Sequence, residues 1–182
     1  MNLYLELFKE DDVNRKEPHW SSLIECLLPK VIKKTRSEKA FIASVAKAGA
    51  AATACKAPHR TACNLFIAAS CDKDLGIAEF SIQCLCKLVL AAQPEFFKVD
   101  EHFKSLIKFL LKQHQEKKPR MIKFALPMLN HVKSKLSETE FKELLQQCAT
   151  FKPTVNDVVG KLAEGTRNSQ PTTAKSVNNM KE

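Results

Sequence analysis

The stretch HWSSLIECLL, residues 19–28, returns 83 residues later as HFKSLIKFLL, residues 102–111. Six of the ten positions are identical, and the aromatic Trp20 is replaced by the aromatic Phe103. In both copies the apolar residues recur at i, i+3, i+4 and i+7, which is the spacing of one face of an α-helix. The recurrence predicts a chain built from repeated amphipathic helices.

A third, weaker copy sets the length of the repeated unit. The pair LI at 23–24 has a counterpart LF at 65–66 and another LI at 106–107, so the spacings are 42 and 41 residues. A period near 40 residues with helical patterning is typical of stacked helix pairs. We therefore predict an all-α fold, namely a short right-handed α-solenoid of about three antiparallel helix pairs plus C-terminal capping helices.

Each unit is predicted to contain an A helix, a short turn and a B helix. Candidate caps mark the helix starts: Ser37, Asp74, Asp100, and a capping box formed by Ser137 and Glu140. Pro127 falls inside the third B helix and is expected to kink it or to mark a break. The B helix of the first unit is assigned an apolar stripe through Phe41, Ile42, Val45, Gly49 and Ala52. In the third unit the stripe of the A helix is Phe103, Leu106, Ile107, Leu110 and Leu111, and that of the B helix is Met121, Ala125, Leu129 and Val132.

Three regions follow from these assignments. Residues 18–165 form the predicted helical-repeat domain. Residues 1–17 are expected to be a short helix and a polar linker. Residues 166–182 contain almost no large apolar side chains, so they are predicted to be a disordered tail.

Composition places the chain among folded, non-membrane proteins. It has 182 residues, of which 45% are hydrophobic and only 4 are Gly. No signal peptide is recognisable, and charged residues interrupt every apolar run before it could span a bilayer. The odd number of cysteines, 7, argues against a disulfide framework and favours a reducing compartment. The expected location is cytoplasmic, with the cytoskeleton as one candidate site, and the cysteines are interpreted as buried small residues.

Positive charge is the main indication of a binding partner. The formal net charge is +9, and residues 29–63 contain eight basic residues and one acidic residue. In a stack of helix pairs the turns between A and B helices would line up along one edge, about 10 Å apart per unit. This edge would contain the predicted partner-binding residues Lys33, Lys34, Arg36, Lys39, Lys73, Lys117, Lys118 and Arg120. An acidic protein, a nucleic acid or a phosphoinositide membrane would suit such an edge, and lysine-rich turns that are merely solvated would look the same.

The pattern of helix pairs resembles the HEAT/armadillo class of α-helical repeats over roughly residues 18–150. Pro29 in an A helix and Asp72 and Asp74 at a turn correspond to residues that HEAT units carry. The opening Trp20 and the basic turns are also faintly similar to the tubulin-binding TOG/CLASP domains. This resemblance implies a scaffold that binds another protein, with tubulin or a cytoskeletal assembly as the candidate partner.

No catalytic motif is recognisable. The sequence lacks a Gly-rich phosphate loop, the nucleophile motif G-x-S-x-G and the zinc motif H-E-x-x-H. Cys84 or Cys86 could pair with a distant histidine as a nucleophile, although both fall within an apolar helix where burial is expected. We predict a non-enzymatic protein with no catalytic residues, no metal and no cofactor, and a nucleic-acid-binding helical-repeat protein remains the alternative.

Overall fold

The computed structural model describes residues 17–56, 59–116, 119–149 and 152–167. These ranges contain eight α-helices, one 3-10 helix and no strand, which confirms the all-α prediction for the described part of the chain. The α-helices are α1 (Glu17–Lys34), α2 (Ala40–Lys56), α3 (His59–Ala69), α4 (Leu75–Ala91), α5 (Glu101–Gln115), α6 (Pro119–Lys135), α7 (Glu138–Cys148) and α8 (Lys152–Arg167). The 3-10 helix, Pro94–Phe97, lies between α4 and α5.

Local capping explains where three of these helices begin. The carboxylate of Asp74 accepts two backbone N–H bonds in the first turn of α4, and that of Asp100 accepts one in the first turn of α5. Ser137 and Glu140 form the predicted capping box at the start of α7. Each side chain satisfies donors that an isolated helix end leaves unpaired. These three predictions are confirmed.

The helices pack on one another in a regular order. The odd-numbered helices contact each other in sequence, α1 with α3, α3 with α5 and α5 with α7. The even-numbered helices do the same, α2 with α4, α4 with α6 and α6 with α8. Each odd-numbered helix also contacts the even-numbered helix that follows it.

Side-chain contacts between helices recur at nearly constant sequence separation. The hydroxyl of Thr61 on α3 donates to Ser21 on α1 at 3.2 Å, across 40 residues. Lys123 on α6 contacts Glu79 on α4 at 3.1 Å, across 44 residues. The corresponding contacts of α3 with α5 and of α5 with α7 span 38 and 44 residues. These separations lie close to the spacing of 41 to 42 residues read from the apolar pairs.

Large apolar side chains from α5 and α6 form much of the buried core. All five residues of the predicted α5 stripe are buried: Phe103, Leu106, Ile107, Leu110 and Leu111. The predicted α6 stripe is buried as well, at Met121, Ala125, Leu129 and Val132. Phe103 meets the rings of Phe96 and Phe97 edge-on at centroid distances of 6.0 Å, an arrangement that aromatic rings favour. The 3-10 helix thereby closes onto the core.

The stripe predicted for α2 is wrong at Phe41, whose side chain is 77% exposed. The buried face of α2 instead consists of small residues: Ala46, Gly49, Ala50, Thr53 and Ala54. Small side chains allow neighbouring backbones to approach closely, so this face can pack although it contains no large apolar residue. In a helix this rich in alanine, apolar periodicity does not distinguish the two faces.

Two local expectations also need correction. α2 begins at Ala40, and the carbonyl of Lys39 accepts the first helical bond, so Lys39 and not Ser37 occupies the N-cap position. Pro127 does not break α6, since α6 continues to Lys135, while the kink expected there stays a prediction. At the C-terminal side, α8 extends to Arg167, two residues beyond the predicted domain boundary at 165.

Candidate partner-binding edge at the helix-pair turns

The turn after α1 (turn one, residues 35–39) and the turn after α3 (turn two, residues 70–74) begin in a similar way, each with a buried hydroxyl bonded to a carbonyl three or four residues earlier. Thr35 is 3% exposed, and its hydroxyl donates to the carbonyl of Ile32 at 2.6 Å. Ser70 is 5% exposed, and its hydroxyl donates to the carbonyl of Phe66 at 2.7 Å. The last carbonyls of a helix lack intrahelical donors, so a buried hydroxyl at this position stabilises the helix end.

The same correspondence continues through both turns. The hydroxyl of Ser37 accepts a bond from the N–H of Lys39 at 3.3 Å, and the carboxylate of Asp72 accepts one from the N–H of Asp74 at 2.8 Å. Lys39 and Asp74 then each precede the first residue of a B helix. Turn one and turn two are therefore equivalent structures offset by 35 residues, a spacing that the apolar pairs did not indicate.

Turn one and turn two lie against each other. The guanidinium Nε of Arg36 is 3.3 Å from Oδ2 of Asp74. Gly76 makes room for this contact, because a Cβ atom there would lie 3.1 Å from the same guanidinium. The N–H of Ile77, together with that of Gly76 and the charge of Arg36, holds the pKa of Asp74 below its ordinary value. We name the surface formed by these two turns the turn edge.

The turn edge presents most of the basic residues that the sequence singled out. Arg36, Lys39 and Lys73 are exposed in the turns themselves, and Lys33 and Lys34 are exposed in the last turn of α1, which we include in the turn edge. The charge is uneven, however. Residues 33–39 contain four basic residues and one acidic residue, whereas residues 70–74 contain one basic and two acidic residues. The positive charge of the edge is therefore concentrated at turn one, because turn two uses its acidic residues to form the turn and cap α4.

The third predicted basic cluster is not another copy of these turns. Three residues separate α5 from α6, against five in each of the first two turns. Lys117 and Lys118 lie outside the described residues. Arg120 lies in the first turn of α6, and its side chain is outside the description too. The role of this cluster stays a prediction.

A groove that the sequence did not indicate continues the edge. It has a volume of about 630 Å³, lies between α5 and α7, and is bordered by Cys71 of turn two. Its lining includes Lys108, Lys112, Gln115 and Gln147. Two exposed lysines four residues apart on α5 thus extend the positive charge beyond turn two. Helical spacing could have placed both on one face, but only the packing of α7 reveals the groove.

Two large apolar side chains lie exposed beside the turns. Phe41, the second residue of α2, is 77% exposed, and Leu75, the first residue of α4, is 67% exposed. Sequence reasoning assigned Phe41 to the core and did not single out Leu75. The cap at Asp74 could have identified Leu75, because it fixes Leu75 as the first helical residue, ahead of the buried stripe that begins at Ile77.

Burial affects the thiols that the sequence offered as candidate nucleophiles. Burial raises the pKa of Cys63 and of Cys84 to about 12, which disfavours their thiolates. Burial likewise raises the pKa of Cys86. Neither Cys84 nor Cys86, which were considered as nucleophiles paired with a histidine, therefore has the lowered pKa of an activated thiol. The seven thiols are free, and the expectation of burial is confirmed for Cys63, Cys84 and Cys148 but wrong for Cys26, Cys55 and Cys71.

Metal binding and membrane insertion find no support in the described ranges. They contain no group of three or more His, Cys, Asp and Glu side chains that could hold a metal ion. Their helices include none that combines the length and the apolar character needed to cross a bilayer. In comparisons with known proteins, no family model, no curated protein and no solved structure matches this chain.

Proposed function

We propose that this protein is a non-enzymatic scaffold that binds an acidic protein surface through the turns between its helix pairs. The contact between Arg36 and Asp74 carries the proposal, because it places the basic turn one beside turn two on a single surface. A continuous edge can contact an extended partner at several points. Isolated lysine-rich turns would offer no such surface.

The architecture that we propose for this edge is a short right-handed α-solenoid of antiparallel pairs, of the HEAT/armadillo type. The order of helix contacts supports it, since odd-numbered helices pack in sequence and even-numbered helices do likewise. The interhelical contacts across 38 to 44 residues also support it. In this arrangement α7 and α8 act as the capping helices. Turns one and two would then face the same side, as required for a shared docking edge.

The candidate partner class is an acidic protein, with tubulin or a cytoskeletal assembly as the specific hypothesis. It rests on the basic turns and on the resemblance to TOG/CLASP domains. A cytoplasmic, cytoskeleton-associated location belongs to the same proposal. Co-sedimentation of the purified chain with microtubules tests the specific hypothesis directly. Absence of co-sedimentation at low salt would exclude microtubules while leaving other acidic proteins open.

The binding edge itself is tested by charge reversal. The variant in which Lys33, Lys34 and Lys39 are changed to Glu alters exposed side chains, and it spares Arg36 because that residue contacts Asp74. The control changes three exposed lysines outside the turn edge to Glu, so that the net charge changes equally: Lys87, Lys98 and Lys135. A partner captured by the wild type and by the control but not by the edge variant would support the proposal. Equal capture by both variants would refute it, provided that thermal unfolding of both is unchanged.

Reversal of Lys117, Lys118 and Arg120 in a separate variant tests the third basic cluster. If this cluster belongs to the edge, the variant loses the same partner as the turn-one variant does. If capture survives, the third cluster is only solvated surface.

Nucleic-acid binding is the second candidate because the net charge is +9 and the sequence pI is about 9.2. Such charge attracts phosphates, and the resulting affinity falls steeply with salt concentration. We expect weak binding to RNA and DNA with no sequence preference. A measured preference for one sequence or structure that persists at physiological salt would favour this alternative over the scaffold.

A further inference from the structure

The turn edge combines positive charge with exposed apolar surface. In the described residues four large hydrophobic side chains are exposed, and Phe41 and Leu75 are the two most exposed of them, at 77% and 67%. Single exposed apolar residues are common on protein surfaces. These two, however, both lie in the first turn of a B helix that follows a five-residue turn, since Phe41 is the second residue of α2 and Leu75 the first residue of α4.

Two contacts, together with the positions of the residues in the sequence, place both residues near one end of neighbouring helices. Leu75 directly follows Asp74, whose carboxylate contacts Arg36 of turn one. Phe41 lies five residues beyond Arg36, in the first turn of α2. The two helices pack against each other, and packed helices have axes about 8–10 Å apart. Both exposed side chains therefore lie in the first turns of two helices that pack together.

The charges around these apolar side chains limit the choice of partner. Lys33, Lys34 and Lys39 are exposed within eight residues of Phe41. A partner surface made only of carboxylates would leave Phe41 and Leu75 in water. A nucleic acid could stack a base on Phe41, but Leu75 has no aromatic face on which a base could stack.

We infer that Phe41, Leu75 and the three lysines Lys33, Lys34 and Lys39 form one binding surface for an acidic peptide segment that carries large apolar side chains. This inference rests on the proposed function and specifies its partner. The apolar side chains of the segment bury Phe41 and Leu75, and its carboxylates face the lysines. A segment with apolar residues at helical spacing and acids between them fits both requirements.

The experiment is a selection from a random-peptide display library against the immobilised full chain. Recovered peptides are titrated against four variants by fluorescence anisotropy. Two variants change the surface: F41A/L75A and K33E/K34E/K39E. Two are matched controls: L90A/V99A removes the other two exposed large hydrophobics, and K87E/K98E/K135E reverses exposed lysines elsewhere. Circular dichroism of each variant checks that it is folded.

We expect the recovered peptides to be net negative and rich in Leu, Ile or Phe. F41A/L75A and K33E/K34E/K39E should each weaken their binding at least tenfold, while the two controls change it less than twofold. Acidic peptides that require the lysines but not Phe41 and Leu75 would overturn this inference and leave the proposed function standing. Recovery of no peptide that depends on the lysines would overturn both.

Two other occupants are separate outcomes that would also overturn the inference. If edge-dependent peptides appear only after Glu6, Glu10, Asp11 and Asp12 are changed to Gln, the occupant is the chain's own N-terminal segment. If analytical ultracentrifugation shows a dimer that F41A/L75A dissociates, the occupant is a second copy of the chain.

Discussion

Helices α2 and α4 occupy the same place in successive helix pairs but bury different kinds of side chain. Both contain 17 residues, and both follow a five-residue turn of the same design. The buried face of α4 includes Ile77, Ile82, Leu85, Leu88 and Val89, whereas that of α2 consists of alanine, glycine and threonine. α4 contacts α1, α3 and the even-numbered helices on both sides of it, α2 and α6, while α2 contacts α1, α3 and one even-numbered helix, α4. A central helix needs large side chains to fill several interfaces, and the first B helix packs by close approach instead.

The strongest test of this comparison is truncation of a large side chain in α4. Leu85 is fully buried, so Leu85→Ala should lower the free energy of unfolding by about 2–5 kcal/mol. Leu90 lies in the same helix but is 48% exposed, and Leu90→Ala should cost about 0.5 kcal/mol or less. Urea denaturation followed by circular dichroism measures both. Equal losses would show that α4 does not pack as described.

The converse test enlarges a small side chain in α2. Ala50 is fully buried, so Ala50→Leu should destabilise the protein by about 1–3 kcal/mol through overpacking. Ala48 is exposed on the same helix, and Ala48→Leu should be within about 0.5 kcal/mol of the wild type. The comparison between α2 and α4 fails if α2 tolerates leucine at both positions.

The equivalence of turns one and two can be tested through their buried hydroxyls. Thr35→Val and Ser70→Ala each remove a hydrogen bond to a helix carbonyl, and each should cost about 1 kcal/mol. Ser134 donates a similar bond to the carbonyl of His131 but is exposed, so water can replace it and Ser134→Ala should cost less. Thermal unfolding of the three variants ranks them. A much larger loss at one turn than at the other would show that the two turns are not equivalent.

The smallest effect is expected from a cap charge. Hydrogen bonding from the N–H of Phe103, aided by the charges of Arg60 and His102, lowers the pKa of Asp100 below its ordinary value of 3.8. Since the folded-state pKa is the lower one, the carboxylate stabilises the fold above the unfolded value and loses this contribution as the pH falls through the folded value. Asparagine can still cap the helix. Wild type should therefore exceed Asp100→Asn in stability near pH 6, and the difference should shrink as the pH falls below the ordinary carboxyl pKa of 3.8. A pH-independent difference would mean that the charge of Asp100 plays no part.

Buried helix faces could be predicted from the sequence where the side chains are large, and not where they are small. In α4, α5 and α6, large apolar residues at helical spacing left one possible buried face, so residues such as Leu106 and Leu129 were placed correctly. The caps at Asp74, Asp100 and Ser137 were predictable because the interaction is local. In α2 the alanines fit either face, and Phe41 was assigned to the wrong one.

The candidate edge was less predictable because it depends on contacts between distant residues. The basic residues of turn one could be read directly from the sequence. Nothing local to residue 36 indicates that its guanidinium meets Asp74, 38 residues away. The apolar pairs did not reveal the offset of 35 residues between the two turns, because α1 has 18 residues and α3 only 11. The apolar pairs therefore recur at a spacing about two helical turns longer than the spacing of the turns.

The absence of a side chain at Gly76 allows Arg36 to contact Asp74. A methyl group at this position would crowd the guanidinium, and a longer side chain would take the space that the guanidinium occupies and turn it towards solvent. Glycine lowers the intrinsic stability of a helix. Replacing it would therefore stabilise α4, and this gain would offset part of the stability lost with the ion pair. A change at a residue that touches no partner could thus convert an arginine that joins two helix pairs into one offered to a ligand, at little cost to the fold.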